Sequence, residues 1–269
     1  MPAIPELDVF ARLASALEPW LGQAVIVGGW AHRLYRLHPH AQELDYAPLM
    51  TIDADVAVPS ELSAKAPDIR ERLLAHGFTE EFLGDDRPPA THYRLGNETS
   101  GFYAEFLTPL AGGGYDRKGK RKATVEIAGV SLQQLRYLEL LLQHPWQADI
   151  RTKDFAGQVS VANPVGFLVQ KVLIHGRRDR DDRAKDILYM HDTFEVFGSR
   201  LDGLREQWRQ RVAADLHRRS ATRVRQSSRI LFGAVSDDIR RAALIPADRR
   251  LSPESIMQAC RFGFEEVFR

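Results

Sequence analysis

The sequence predicts an α+β protein, a mixed β-sheet with flanking helices followed by an all-helical C-terminal domain. Two observations carry that prediction. Up to residue 163, short apolar strand-like runs closed by Gly, Pro, Asn or Asp turns are interspersed with helical segments. From Pro164 onward every segment has helical spacing, and proline is favoured at the first position of a helix. The expected domains are therefore 1–163 and 164–269.

Taken in order, residues 6–20 read as an amphipathic helix, with Leu7, Phe10, Leu13, Leu17 and Trp20 at helical spacing. Ala24-Val25-Ile26-Val27 is a short buried strand. It ends in Gly28-Gly29 and runs directly into a helix over 30–37, which His38-Pro39-His40 stops. Residues 41–49 read as a loop and 50–58 as a strand closed by Pro59-Ser60. A helix over 60–76 ends at Gly77. Three strands follow over 80–83, 91–95 and 101–107, separated by Gly84-Asp-Asp-Arg-Pro-Pro and Gly96-Asn97. Residues 111–122 form a Gly-rich, then basic loop. A strand over 124–127, a helix over 131–143 and strands near 147–151 and 157–162 complete the first domain. Helices over about 164–176, 180–197, 199–219, 221–233, 236–244 and 252–267 make the second.

Of the 269 residues, 44% are hydrophobic and 27% charged, a balance that supports a sizeable core and excludes wholesale disorder. The net charge, 37 − 36 = +1, argues for neither a nucleic-acid coat nor an acidic tail. Cys260 is the only cysteine, which excludes an intramolecular disulfide and a Cys-based zinc cluster. No basic leader with an apolar run opens the chain, and no apolar stretch approaches the ~20 residues that span a bilayer. The expectation is a cytoplasmic protein without membrane partners.

The residues that carry chemistry begin with Asp53-Ala-Asp55, inside an otherwise apolar strand. Strand side chains alternate, so both carboxylates project to one face while Ile52, Ala54 and Val56 fill the other. Two like charges side by side are costly unless something compensates them. Mg²⁺, which takes one or two carboxylates plus substrate phosphates, is the natural compensation. Glu105 is again a lone carboxylate in an apolar strand, fit for a second-metal ligand or a general base. Gly28-Gly29 sits at a strand-to-helix turn, where the backbone can approach a phosphate closely. Lys171 lies in a nearly all-apolar helix and must reach an anion or snorkel to water. Asp186 opens an apolar helical face and is placed to pair with Lys171 or orient substrate.

The order of these residues resembles a known superfamily. Val27-Gly28-Gly29-Trp30-Ala31 followed by Thr51-Ile52-Asp53-Ala54-Asp55-Val56 is similar to the polymerase-β-like nucleotidyltransferases, whose signature is a Gly-Gly or Gly-Ser turn opening a helix, then Asp-x-Asp on the next strand, then a third acid. Lys171 and Arg183-Ala-Lys-Asp186 look like positions of the bacterial branch containing AbiEii-type toxins. The resemblance covers roughly residues 20–195. It implies a nucleotidyltransferase-type sheet, with Asp53, Asp55 and Glu105 holding Mg²⁺ (two ions, or Mn²⁺ as a substitute). Gly28, Gly29, Arg33, Lys171 and Asp186 would contact a nucleoside triphosphate such as ATP. The chemistry implied is attack of an acceptor hydroxyl on the α-phosphorus, with pyrophosphate leaving. Two departures stand out: Gly29 occupies a position where many members have Ser, and the long spacing to Asp53 implies an inserted loop at 38–50.

The acceptor is not fixed by these residues. The loop Arg117-Lys-Gly-Lys-Arg-Lys122 and the Arg-rich helical tail suit a nucleic acid such as tRNA, while a small molecule or a protein side chain also fits. The competing class is a catalytically silent fold that binds nucleotide or RNA as a regulatory module. A toxin role follows only from the resemblance, and the oligomeric state is not legible.

Overall fold

The computed structural model describes residues 7–96, 101–115, 119 and 122–269. The chain divides into two compact units. Among the described residues, one comprises 7–34 together with Met50–Ala162; the other comprises Tyr35–Leu49 together with Asn163–Arg269. The partition thus falls at 162/163, and residues 35–49 belong with the helices rather than with the sheet.

The first unit contains α1 (Leu7–Ala16), β1 (Val25–Val27), α2 (Gly28–Leu34), β2 (Asp53–Ala57), α3 (Ile69–Ala75), β3 (Phe78–Leu83), β4 (Ala90–Leu95), β5 (Tyr103–Pro109), β6 (Thr124–Ile127), β7 (Val130–Leu135), α4 (Glu139–Leu142), β8 (Trp146–Arg151) and β9 (Ala156–Val161). Its sheet runs β3-β4-β5-β2-β1-β9-β8, with β7 beside β5 and β6 beside β7. The sheet is mixed: β2/β5, β1/β9 and β5/β7 are parallel, and the other pairs are antiparallel. The three residues of β1 are buried between β2 and β9. Trp30, on α2, stacks on Phe10 of α1 at 4.5 Å and meets Phe102 edge-on at 5.9 Å, which seats both helices.

Two expected helices are corrected here. The helix expected over 60–76 is confined to α3. Pro67 disfavours helical backbone before it, and Asp68 starts the helix through a capping box with Glu71. The stretch expected as a helix over 131–143 is instead β7 followed by the single turn α4. Val130 and Leu132 are buried while Ser131 and Gln133 are half-buried, a period of two that serves a strand wedged between β5 and β6. The leucines at 132, 135 and 138 mimic a helical repeat that the neighbouring strands override. Ile52, expected in the core, is half exposed.

The second unit contains α5 (Pro164–Ile174), α6 (Arg180–Val196), α7 (Leu201–Gln207), a π-turn at Trp208–Val212, α8 (Ala213–Asp215), α9 (Arg218–Leu231), α10 (Asp237–Ala243) and α11 (Pro253–Val267). The helix expected over 199–219 is thus broken by the π-turn and ends before α9. Asn163 caps α5 by accepting from the Gly166 N–H at 2.7 Å, with Pro164 at the first position. No helix among the described residues is long and apolar enough to cross a membrane.

The segment 35–49 is tied into this unit by aromatic and charged contacts. Tyr35 meets Phe167 and Phe197 edge-on, each at 5.7 Å. The Gln42 side chain donates to the Glu195 carbonyl at 2.7 Å. Arg249 donates to both oxygens of the buried Asp192 carboxylate at 2.6 Å and lies over the Tyr46 ring at 3.4 Å. Removing one partner of a buried ion pair costs about 3–5 kcal/mol, and His191 Nδ1, 2.9 Å from Asp192 Oδ1, keeps the loss of Arg249 at the low end of that range. Arg249→Met should therefore lose about 3 kcal/mol in chemical denaturation, and Arg249→Met with Asp192→Leu should recover most of it. A single variant within about 0.5 kcal/mol of the wild type would refute this role.

Candidate functional site

Three central strands bring the expected acids to one face. In β2, Ala54 and Val56 are fully buried, whereas Asp53 and Asp55 between them are half-buried and face the other way. Parallel pairing sets Asp53 beside Tyr103 and Asp55 beside Glu105. Antiparallel pairing of β4 with β5 brings His92 and Arg94 onto the same face. Asp53, Asp55 and Glu105 are thus neighbours in register, as alternation along each strand requires.

The tightest constraint lies where β1 turns into α2. Val27 pairs with Asp55, and Gly28 follows with φ +61°. A Cβ at Gly28 would overlap Oδ2 of Asp55 and stand 2.9 Å from its Cγ. Only glycine allows both that backbone conformation and that approach of the carboxylate. The Gly28 turn and Asp55 therefore share one small volume, a cradle that a side chain would fill.

Asp53 is held by a short relay. Arg33, 1% exposed, lies over the Trp30 ring at 4.5 Å and donates to the Thr51 carbonyl at 3.3 Å. The Thr51 hydroxyl donates to Asp53. Arg33, expected to contact nucleotide, is in this structure packed into the unit's interior. Glu105 has two neighbours that the sequence did not announce: His92 Nε2 lies 2.5 Å from one carboxylate oxygen, and Gln133 donates to the other at 2.9 Å. His92 in turn stacks on Tyr103 at 4.3 Å. No group of three or more His, Cys, Asp or Glu side chains among the described residues is arranged to hold a metal ion. The expected third ligand, Glu105, is engaged instead by His92 and Gln133.

The electrostatics follow from burial and crowding. Burial pushes the Glu105 carboxyl above its usual range; His92 opposes the rise and Asp53 adds to it. Burial, then Asp53, Glu105 and Asp55, push the Tyr103 phenol up to about 12.

Lys171 and Asp186 belong to the helical unit and pair there, Nζ to Oδ1 at 2.5 Å, with both side chains buried. Arg178 Nε lies 3.5 Å from the other Asp186 oxygen, and the Lys171 ammonium is within 5.4 Å of the Phe167 and Tyr189 ring centres. In the basic loop, Arg117, Lys118, Lys120 and Arg121 lie outside the described residues, as does Asn97.

A family model described as nucleotidyltransferase matches residues 8–213. The chain belongs to this nucleotidyltransferase family. The matched span takes in the Gly28 turn, all three sheet acids and the Lys171–Asp186 pair. No curated protein matches. A solved structure similar to this chain is an antigenic nucleotidyltransferase-like protein from Paracoccidioides brasiliensis, 16% identical, covering 68% of this chain and 73% of its own, with a TM-score of 0.37.

His92, Gln133, Thr51 and Tyr103 are the site neighbours that motif reading missed. The only signal was the alternation of polar side chains on strands 91–95 and 101–107, and register is what turns it into a cluster.

Two outcomes are expected. Gly28→Ala should cost about 2 kcal/mol or more, since it combines a strained φ with an overlap, and should displace Asp55. Wild-type stability by thermal and chemical denaturation would contradict the geometry. For Glu105, the folded state raises the carboxyl's pKa, so the folded state binds the extra proton. Its unfavourable contribution is absent below the ordinary carboxyl value and sets in as pH rises through the raised one. Glu105→Gln should therefore raise the Tm at pH 7, with a gain that shrinks toward pH 4. A gain independent of pH would count against it.

Proposed function

We propose that this chain transfers a nucleoside monophosphate from a nucleoside triphosphate to an acceptor hydroxyl in a Mg²⁺-dependent reaction. Family membership supplies the reaction class. The observation that carries the reading to this site is the Gly28 turn lying against Asp55, with Asp53 on the same strand face. Two carboxylates beside a backbone that a phosphate can approach fit Mg²⁺ held jointly by protein and triphosphate. Asp53 and Asp55 would hold the ion, and Mn²⁺ would substitute. When bound, it supplies charge neutralisation on the triphosphate.

The chain's own residues supply position and proton handling. Thr51 fixes the Asp53 carboxylate. The Gly28-Gly29 turn offers backbone at close range to a phosphate oxygen. Glu105 accepts the proton of the acceptor hydroxyl as the oxygen–phosphorus bond forms and the bond to pyrophosphate breaks. A carboxyl whose pKa is raised by burial is a better base than an exposed one, and His92 and Gln133 hold it in place. Lys171 and Asp186 satisfy each other inside the helical unit, and no step is assigned to them.

One observation favours a second reading, a nucleotide-binding module without transfer: both Glu105 oxygens already have partners. Incubation with α-labelled triphosphates, Mg²⁺ and total cell extract separates the two. Transfer predicts label on a macromolecular or small-molecule fraction. It should fall at least 100-fold in Asp53→Asn and in Asp55→Asn, with the double variant little worse than either. Mg²⁺-dependent nucleotide binding without label in any fraction establishes the module instead. Binding indifferent to both substitutions would remove the site itself.

A further inference from the structure

Helix α9 carries Arg218, Arg219, Arg223, Arg225 and Arg229, with no acid and no lysine across its fourteen residues. All five arginines are exposed, and none forms an ion pair with a described residue. That contrasts with arginines elsewhere in the helical unit. Arg205 reaches Glu266 at 3.2 Å, Arg241 reaches Asp181 at 2.7 Å, Arg261 reaches Glu265 at 3.2 Å and Arg269 reaches Glu266 at 2.8 Å. Arg177, Arg180, Arg200, Arg209, Arg211 and Arg250 also lack an ion pair with a described residue, and α9 differs in gathering five such arginines on one helix that carries no acid.

The helix packs inward through Ala221, Val224 and Ser228. Its outward face is cationic, with Ile230 as its exposed apolar residue. An interfacial membrane helix presents the opposite arrangement, apolar side outward. The helix is also a ridge between two clefts. On one side Arg225 and Arg229 line an opening of about 440 Å³ together with Phe264, Phe268, Arg269 and the Arg261–Glu265 pair. On the other, Arg223 lines an opening of about 400 Å³ with His175 and Arg177. Both volumes fall in the range of ~300–1,000 Å³ that holds small ligands, enough for a nucleotide unit. Arginine without lysine points to phosphate, because the guanidinium fork matches phosphate oxygens two at a time.

We propose that α9 and its flanking clefts bind a single-stranded nucleic acid through its phosphate backbone. The clefts receive single nucleotides beside the ridge. Binding stands independently of transfer; that this strand carries the acceptor hydroxyl rests on the reading given above.

The test is fluorescence polarisation of labelled RNA and DNA 20-mers with the full chain between 50 and 200 mM salt. Replacing Arg223, Arg225 and Arg229 together by Ala should weaken binding at least tenfold at the low-salt end. It should also lower the slope of log affinity against log salt by about 2, three phosphate contacts at ~0.7 each. Arg225→Glu alone, at an exposed position, should weaken binding severalfold and guards against misfolding of the triple variant, whose fold is checked by circular dichroism. RNA favoured over DNA, or the two bound equally, both support the surface and identify the strand. Unchanged affinity in the triple variant and in Arg225→Glu overturns the proposal. So does equal competition by poly-glutamate, which would mark an acidic protein, or by phosphatidylglycerol vesicles, which would mark a membrane. Asp53→Asn should bind the oligonucleotide like the wild type; loss there would move binding away from α9. Retained binding without label transfer would leave this surface standing and remove the transferase reading.

Discussion

Everything at the acid site depends on the approach of the Asp55 carboxylate to the Gly28 backbone. Val27 is the last residue of a buried three-residue strand and pairs directly with Asp55. The chain must leave the sheet at the next residue, in a left-handed conformation, past a carboxylate in contact range. A side chain at that point would force β1 and β2 apart. Because β1 is also the partner of β9, the displacement would spread to the far half of the sheet. The centre of the fold is therefore organised so that a carboxylate and a bare stretch of backbone meet. That arrangement does nothing for hydrophobic packing, and it is the feature on which the proposed Mg²⁺–triphosphate site rests.

The carboxylate face shows a graded use of charge. Asp53 is met by a hydroxyl whose own backbone is tied to a buried guanidinium. Glu105, deeper beside His92 and Gln133, keeps a raised pKa because burial outweighs the help of its partners. Burial first, and then the three acids around it, drive the Tyr103 phenol up to about 12. In the proposed reaction Asp53 and Asp55 would hold the cation and Glu105 would take the proton, a division of roles that different surroundings favour. Strand register makes Asp55 and Glu105 neighbours, and Glu105 also meets His92 of β4 and Gln133 of β7.

Much of this was legible because charge inside an apolar strand is conspicuous. Asp53, Asp55 and Glu105 each interrupt a run of Ile, Val, Ala, Phe or Leu, and the Gly-Gly pair follows an all-apolar strand. What was not legible depends on long-range pairing. Leu132, Leu135 and Leu138 fit a helix as well as Val130 and Leu132 fit a strand; only β5 and β6 decide between them. His92 is unremarkable until β4 is laid antiparallel beside β5. Arg33 read as a cation near a phosphate turn, yet one turn of helix carries it inward against Trp30. The long interval between Gly29 and Asp53 read as a loop insertion, whereas residues 35–49 are an integral part of the helical unit.

That last feature bears on how the helical unit manages its ions. Segment 35–49 delivers Tyr46 to the Arg249–Asp192 pair and Tyr35 to the ring cluster at Phe167 and Phe197. Lys171 is likewise matched to Asp186, and the arginines of α7, α10 and α11 find acids within hydrogen-bonding distance. Helix α9, with five exposed arginines and no acid, gathers unpaired charge on one surface. The near-zero net charge of the whole chain hides it, because total charge averages over paired and unpaired surfaces alike.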